Sequence, residues 1–134
     1  HMMSAAMMGA TAFQKGLGAI HAISHPIGAL YNTHHGTTNA VIMKDILDFN
    51  RNEIEVQIAN AANYLGIDHG FDGFKNFVIE LNQSLGIPKN LSEIGVSNPD
   101  IDRITDIAMR DPSVSGNPRI MTKENTKKLV ETLF

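Results

Sequence analysis

The chain has 134 residues, of which 43% are hydrophobic and 19% are charged, and its formal net charge is −3. This composition is typical of one compact globular domain, and it excludes intrinsic disorder and a basic surface for nucleic acid or anionic membranes. Cysteine is absent, which excludes disulfides and thiolate metal sites and favours a cytoplasmic location. No apolar run approaches the roughly 20 residues that span a bilayer.

The N-terminal residues differ from those of a usual chain start. His1-Met2 is interpreted as a vector scar, which leaves residues 3–134 as the domain. The stretch from Ser4 to Met8 is apolar and uncharged, as in the middle of a buried helix. We therefore expect the chain to be part of a larger protein, to expose surface that the missing part covers, and to form a homo-oligomer.

Hydrophobic periodicity predicts helices almost throughout the chain, and no useful stretch alternates with period two. The fold class is therefore predicted to be all-α, with about six helices. The first predicted segment covers 4–31, where Pro26 is expected to kink or break it. Its glycines, with Gly16-Leu17-Gly18 among them, indicate close helix packing, and a loop is predicted over 32–36.

The remaining elements follow from apolar stripes and from residues that begin or end helices. Three phenylalanines at helical spacing, Phe71, Phe74 and Phe77, are expected in the core. The predicted helices are 39–49, 54–65 ended by Gly66, 71–85 ended by Gly86, 98–109 begun by Asn98-Pro99, and a last helix from the Thr122 cap to Leu133, preceded by a loop over 111–118.

Histidines are concentrated in one segment: four of the six lie between His21 and His35. His21 and His25 are four residues apart and so project from the same helix face. The predicted loop allows the chain to fold back and bring His35 near His21. Neutral imidazoles suit Fe²⁺, Zn²⁺, Cu²⁺ and Ni²⁺, so this pattern favours a mononuclear transition-metal site.

Other interpretations remain open at this point. Two histidines at this spacing are often polar side chains on a helix surface, and the chain would then be a structural or interaction domain. Alternatively, His21, His25 and His35 would form the three-histidine site of a freestanding helical metal-binding module. His69 is expected in a solvated turn, and Asp45 and Asp48 on a solvated helix face.

The segment Gly18–Gly36, GAIHAISHPIGALYNTHHG, resembles the signature of the iron-containing (group III) alcohol dehydrogenases. The resemblance continues through Asn39-Ala40 and Phe49-Asn50. Near the C-terminus, Asp106-Ile107-Ala108 and Asn117-Pro118-Arg119 are similar to the family's closing pattern. It therefore covers nearly the whole chain after the first two residues.

The resemblance implies a Rossmann-like NAD(P)-binding half and an all-helical, dehydroquinate synthase-like half that holds the metal through one aspartate and three histidines. His21 and His35 match two of the histidine ligands. His25 matches the histidine beside the nicotinamide and the substrate, which gives it a cofactor-binding and catalytic role. His34 stands where many members have proline and receives no ligand role. The other two ligands are expected upstream of this chain.

The implied activity is the interconversion of a small alcohol and its aldehyde or ketone by hydride transfer. The cofactors would be Fe²⁺, or Zn²⁺ or another divalent ion, and NAD(P) in the full-length protein. Gly16-Leu17-Gly18 follows no predicted strand and so does not match a phosphate-binding loop. The isolated chain, as a C-terminal helical fragment, is therefore expected to be inactive.

Overall fold

The computed structural model describes residues 1–134 and contains six α-helices, two short 3₁₀ turns and no strand. The prediction of an all-α fold is therefore confirmed. The helices are α1 (Met2–Phe13), α2 (Ala19–Tyr31), α3 (His35–Leu65), α4 (Gly70–Ser84), α5 (Ile101–Ala108) and α6 (Lys123–Glu131), and the 3₁₀ turns are Ser92–Ile94 and Pro112–Gly116. None of these helices combines the length and the apolar character needed to cross a membrane.

Helix α2 lies at the centre of the packing. It contacts α3, α5 and the turn Pro112–Gly116, while α4 packs against α3 and α6 against α5. Ala22, Ile23 and Ile27 are completely buried in this centre. The core continues through apolar side chains of α3, α5 and α6, among them Ile42, Ile46, Ile104, Ala108, Leu129 and Val130.

The first predicted segment is divided at a different place from the one expected. Helix α1 ends at Phe13, and Gly16 takes a φ of 97°, a left-handed conformation that favours glycine and ends the helix. Pro26, in contrast, lies inside α2, and its ring is buried. The expectation of a break at Pro26 is therefore wrong, because core packing on both sides of the proline holds the helix together.

Gly16-Leu17-Gly18 joins two helices and does not lie within one, which corrects the prediction of helix packing. The segment does approach another backbone closely. A Cβ on Gly18 would lie 2.9 Å from Asn117 Oδ1, and a Cβ on Gly116 would overlap the carbonyl of Leu17. The start of α2 is thereby held against the segment that follows Pro112–Gly116.

One long helix replaces the two that were predicted over 39–49 and 54–65. Helix α3 has 31 residues, which corresponds to about 46 Å at 1.5 Å per residue. The polar residues 50–53 do not interrupt it, and the side chains of two of them have partners. Asn50 pairs with Asn117, and Arg51 forms ion pairs with Glu55 and Asp72.

The predicted ends of two helices are confirmed. Gly66 and Gly86 have φ values of 70° and 69°, so each provides the left-handed residue that commonly follows a helix. The amide of Ile67 donates to the carbonyl of Ala62, and that of Ile87 to Asn82. These bonds satisfy carbonyls that a helix end otherwise leaves free.

Of two predicted helix starts, one is confirmed and the other is wrong. Thr122 caps α6 in a reciprocal capping box with Asn125, as the sequence predicted for the cap, although the helix ends at Glu131 and not at Leu133. Helix α5 begins at Ile101 with Asp100 as its cap, so the predicted start at Asn98-Pro99 is wrong. Asp100 accepts a hydrogen bond from the Arg103 amide.

Apolar side chains at the edges of the fold are more exposed than the sequence suggested. Phe71 is 3% exposed, but Phe77 is 43% exposed and does not belong to the core, because α4 packs only against α3. Helix α1 forms over the apolar Ser4–Met8 stretch, yet no residue of it is buried in this chain.

We expect Asn117→Ala to lower the free energy of unfolding by about 3 kcal/mol, because it leaves buried donors and acceptors without partners. Asn117 Oδ1 accepts from the Ala19 amide and from Asn50, and its Nδ2 donates to Asn50 and to the Arg119 carbonyl. Urea unfolding measures the change. Asn60→Ala, on the exposed face of α3, is the control; an equal loss in both variants would contradict the assignment.

Candidate functional site

Three histidines that are separated along the chain meet at one place in the fold. The ring centroids of His21 and His25 are 5.6 Å apart, those of His21 and His35 are 5.3 Å apart, and those of His25 and His35 are 5.5 Å apart. A short connection produces this arrangement, since α2 ends at Asn32 in a left-handed conformation and α3 begins at His35. The expectation that His35 returns to the His21 face is confirmed. We call these three side chains the histidine cluster.

Asn39 joins two members of the histidine cluster. It lies one turn after His35 on α3, and its Nδ2 is 3.1 Å from His35 Nε2 and 3.5 Å from His21 Nε2. The Oδ1 atom of Asn39 is buried and has no hydrogen-bond partner. Because an amide nitrogen only donates, the lone pairs of the two Nε2 atoms face the same point.

The electrostatic environment of His21 favours its neutral form. Partial burial lowers the pKa of His21 below 6.5, and the neighbouring His35 and His25 lower it further, although Asp111 acts in the opposite direction. Only the neutral imidazole has a free lone pair for a metal ion, so this environment favours the ligand form.

His25 has a different partner, which sequence reasoning missed. Its Nδ1 lies 2.7 Å from Asp111 Oδ2. Burial alone would raise the pKa of Asp111, but hydrogen bonds from Ser113 and from His25 outweigh it and hold that pKa below its usual value. The two residues are 86 positions apart, and a hydrogen bond over that distance has no signal in local sequence.

The other candidate residues lie outside the histidine cluster. The imidazole of His34 accepts from the Thr37 amide and caps α3, so it has a local structural role. His69 is exposed at the start of α4, as expected for a turn. Asp48 pairs with Lys75, and Asp45 with Lys44.

The histidine cluster borders an open cleft of about 400 Å³. Phe13, Leu17 and Ile46 contribute apolar side chains to its lining beside His21. No group of three or more histidine, cysteine, aspartate or glutamate side chains is arranged to hold a metal ion. The chain therefore offers two imidazole nitrogens that face one point, next to a largely apolar cleft.

Stability should fall as the pH is lowered from about 7.5 to about 5.5, because the unfolded chain takes up a proton at residue 21 before the folded chain does. The sign follows from the lowered pKa of His21: the unfolded state binds more protons in this range. His21→Gln should reduce this pH dependence of the unfolding free energy, as measured by urea denaturation. His69→Gln, which removes an exposed imidazole, is the control. An unchanged pH dependence in His21→Gln would contradict the prediction.

Comparison with known proteins identifies relatives that are much longer than this chain. Lactaldehyde reductase of Escherichia coli (strain K12) is 32% identical over 126 aligned positions, in an alignment that covers 89% of this chain and 33% of that protein. The 4-hydroxybutyrate dehydrogenase of Cupriavidus necator is 34% identical over 140 aligned positions, and the alignment covers 98% of this chain and 36% of that protein. The chain thus spans about a third of the length of these relatives.

Solved structures and a family model agree with these relatives. A crystal structure of 1,3-propanediol oxidoreductase matches with a TM-score of 0.81 at 26% identity, covering 88% of this chain and 33% of that one. An alcohol dehydrogenase from Oenococcus oeni matches with a TM-score of 0.77 at 26% identity, with the same coverage. The model of the Fe-containing alcohol dehydrogenase family, C-terminal, matches residues 1–134. The chain belongs to the iron-containing alcohol dehydrogenase family, to whose C-terminal part it corresponds.

Proposed function

We propose that the protein to which this chain belongs interconverts a small alcohol and its aldehyde or ketone by NAD(P)-dependent hydride transfer at a divalent metal. The observation that carries the proposal is the meeting of His21 and His35, whose Nε2 atoms face the same point. Two relatives act on small oxygenated substrates by their names, namely lactaldehyde reductase and 1,3-propanediol dehydrogenase of Citrobacter freundii.

The donor set fits part of a divalent metal site. The lowered pKa of His21 favours its neutral form, and the Asn39 carboxamide next to it carries a buried oxygen without a partner. His21 and His35 would hold Fe²⁺, or Zn²⁺ or another divalent ion, through nitrogen. When bound, such an ion polarises the oxygen of the alcohol or carbonyl substrate.

The other residues around the histidine cluster would bind and orient the reactants. The open cleft beside His21 has apolar side chains in its lining, which would contact a short carbon chain. His25 is 42% exposed and so is accessible to a bound molecule. We assign it the role beside the nicotinamide and the substrate, where it would hold a polar group of either one in position.

The remainder of the active site would come from the rest of the protein. The structure has no strand, and a dinucleotide is bound by a glycine-rich turn between a strand and a helix. Two imidazoles also leave a four-coordinate site half complete. We therefore propose that the other ligands and the NAD(P) site lie in the two-thirds of the relatives' length that this chain does not cover.

A second candidate function is supported by the compactness of the histidine cluster. All three ring centroids lie within 5.6 Å of one another, so rotation of the side chains would let His25 join His21 and His35 on one ion. The chain would then act as a freestanding helical metal-binding module. Metal titration separates the two proposals.

We expect calorimetric titration of the chain with Zn²⁺, or anaerobically with Fe²⁺, to give weak binding that is lost in His21→Ala and in His35→Ala. A two-imidazole site binds more weakly than a closed four-ligand site. His69→Ala removes a distant exposed imidazole and is the control. Tight one-to-one binding that is lost in His25→Ala as well would favour the freestanding module.

We also expect the isolated chain to show no turnover with NAD(P), a divalent metal and a series of short alcohols, because hydride transfer requires a bound nicotinamide ring. Absorbance of the reduced cofactor provides the measurement. Turnover that persists after further purification and disappears in His21→Ala would contradict this expectation and would show that the chain carries a complete site.

A further inference from the structure

The carboxylate of Asp111 uses its two oxygens for two different partners. Oδ2 lies 2.7 Å from His25 Nδ1, and Oδ1 accepts a hydrogen bond from the Ser113 amide at 2.8 Å. The Asp111 side chain is 12% exposed, and the residue caps the turn Pro112–Gly116. Its orientation is therefore fixed by the backbone on one side, which leaves the other oxygen available only to His25.

This contact decides which nitrogen of His25 carries the proton. An ionised carboxylate only accepts hydrogen bonds, so Nδ1 of His25 must donate. A neutral imidazole has a single N–H, and its Nε2 is consequently an unprotonated acceptor. The Nδ1 contact is the only hydrogen bond of the His25 ring in the chain.

The contact with Asp111 distinguishes His25 from the other two rings of the histidine cluster. The rings of His21 and His35 have no carboxylate partner, and each is contacted at Nε2 by the Asn39 amide. In His25 the same atom is left open, on a side chain that is 42% exposed. The histidine cluster thus contains two nitrogens that both contact Asn39 Nδ2 and a third, His25 Nε2, that has no hydrogen-bond partner in the chain.

We propose that Asp111 is a positioning residue that fixes the tautomer of His25, so that Nε2 serves as a hydrogen-bond acceptor for a donor group of the bound reactants, either an alcohol hydroxyl or a carboxamide N–H. The role of this acceptor in the reaction depends on the proposed function. The tautomer itself does not, because it follows from the hydrogen bonds of this chain alone.

Long-range ¹H–¹⁵N NMR correlations on the labelled chain test the proposal, since they distinguish protonated from unprotonated ring nitrogens. At about pH 8, above the usual pKa of imidazole, His25 should have a protonated Nδ1 and an unprotonated Nε2. An unprotonated Nδ1 in the unmodified chain would overturn the proposal before any variant is made.

Asp111→Asn supplies the sharper test. The new carboxamide can still accept from the Ser113 amide through its oxygen, which preserves the cap, but it presents an NH₂ group to His25 Nδ1. The ring should therefore switch to the tautomer with a protonated Nε2. Asp106→Asn is the matched control, because Asp106 pairs with Lys123 and does not contact His25. A folded Asp111→Asn variant that keeps the original tautomer would overturn the proposal.

Adding Zn²⁺ to the same sample separates this proposal from the others. Shifts confined to Nε2 of His21 and His35 would support His25 as a reactant-facing acceptor. A Zn²⁺-induced shift at Nε2 of His25 would make it a ligand and would overturn that role. If no histidine responds to Zn²⁺ while the tautomer switches in Asp111→Asn, the positioning by Asp111 holds, and the expectation that His21 and His35 bind metal in this chain fails.

Discussion

The hydrogen bonds of Asn117 hold together the three segments on which the site depends. One carboxamide accepts from the first amide of α2 and from Asn50 on α3, and it donates back to Asn50. Two glycines allow the close approach of these segments. A Cβ on Gly116 would overlap the carbonyl of Leu17, and a Cβ on Gly18 would lie 2.9 Å from Asn117 Oδ1. Asp111, whose carboxylate contacts His25, caps the turn Pro112–Gly116, which directly precedes Asn117. A buried amide pair is costly unless every group is satisfied, and here it aligns α2, α3 and the turn.

The histidine cluster contains chemically similar side chains in different environments. The two that face Asn39 present lone pairs to one point, and burial together with the neighbouring rings lowers the pKa of His21, which favours its neutral form. The third is oriented by an ionised carboxylate. Such partners determine whether an imidazole is a ligand, a donor or an acceptor, although the residue type is the same. Neighbouring histidines thus have different hydrogen-bond partners in the fold.

Helical periodicity and local capping residues were sufficient to predict most of the fold. Gly66 and Gly86 end their helices and Thr122 caps the last one because these preferences act within a single turn of backbone. Two of the errors have the same cause. Pro26 does not break α2, because core side chains pack around it. Residues 50–53 do not interrupt α3, where Asn50 pairs with Asn117 and Arg51 with Asp72. Tertiary contacts outweighed local propensity at both places.

The sequence by itself determined the all-α class, the family signature and the i, i+4 pair of His21 and His25, since helix periodicity fixes which side chains share a face. It also indicated, through the loop predicted over 32–36, that His35 could return to this pair. The tertiary structure alone decided that Asn39 lies between two of the rings and that Asp111 binds the third. The bond to Asp111 joins residues 86 positions apart, and no local pattern encodes it, because its geometry exists only after α2 and the turn Pro112–Gly116 have packed together.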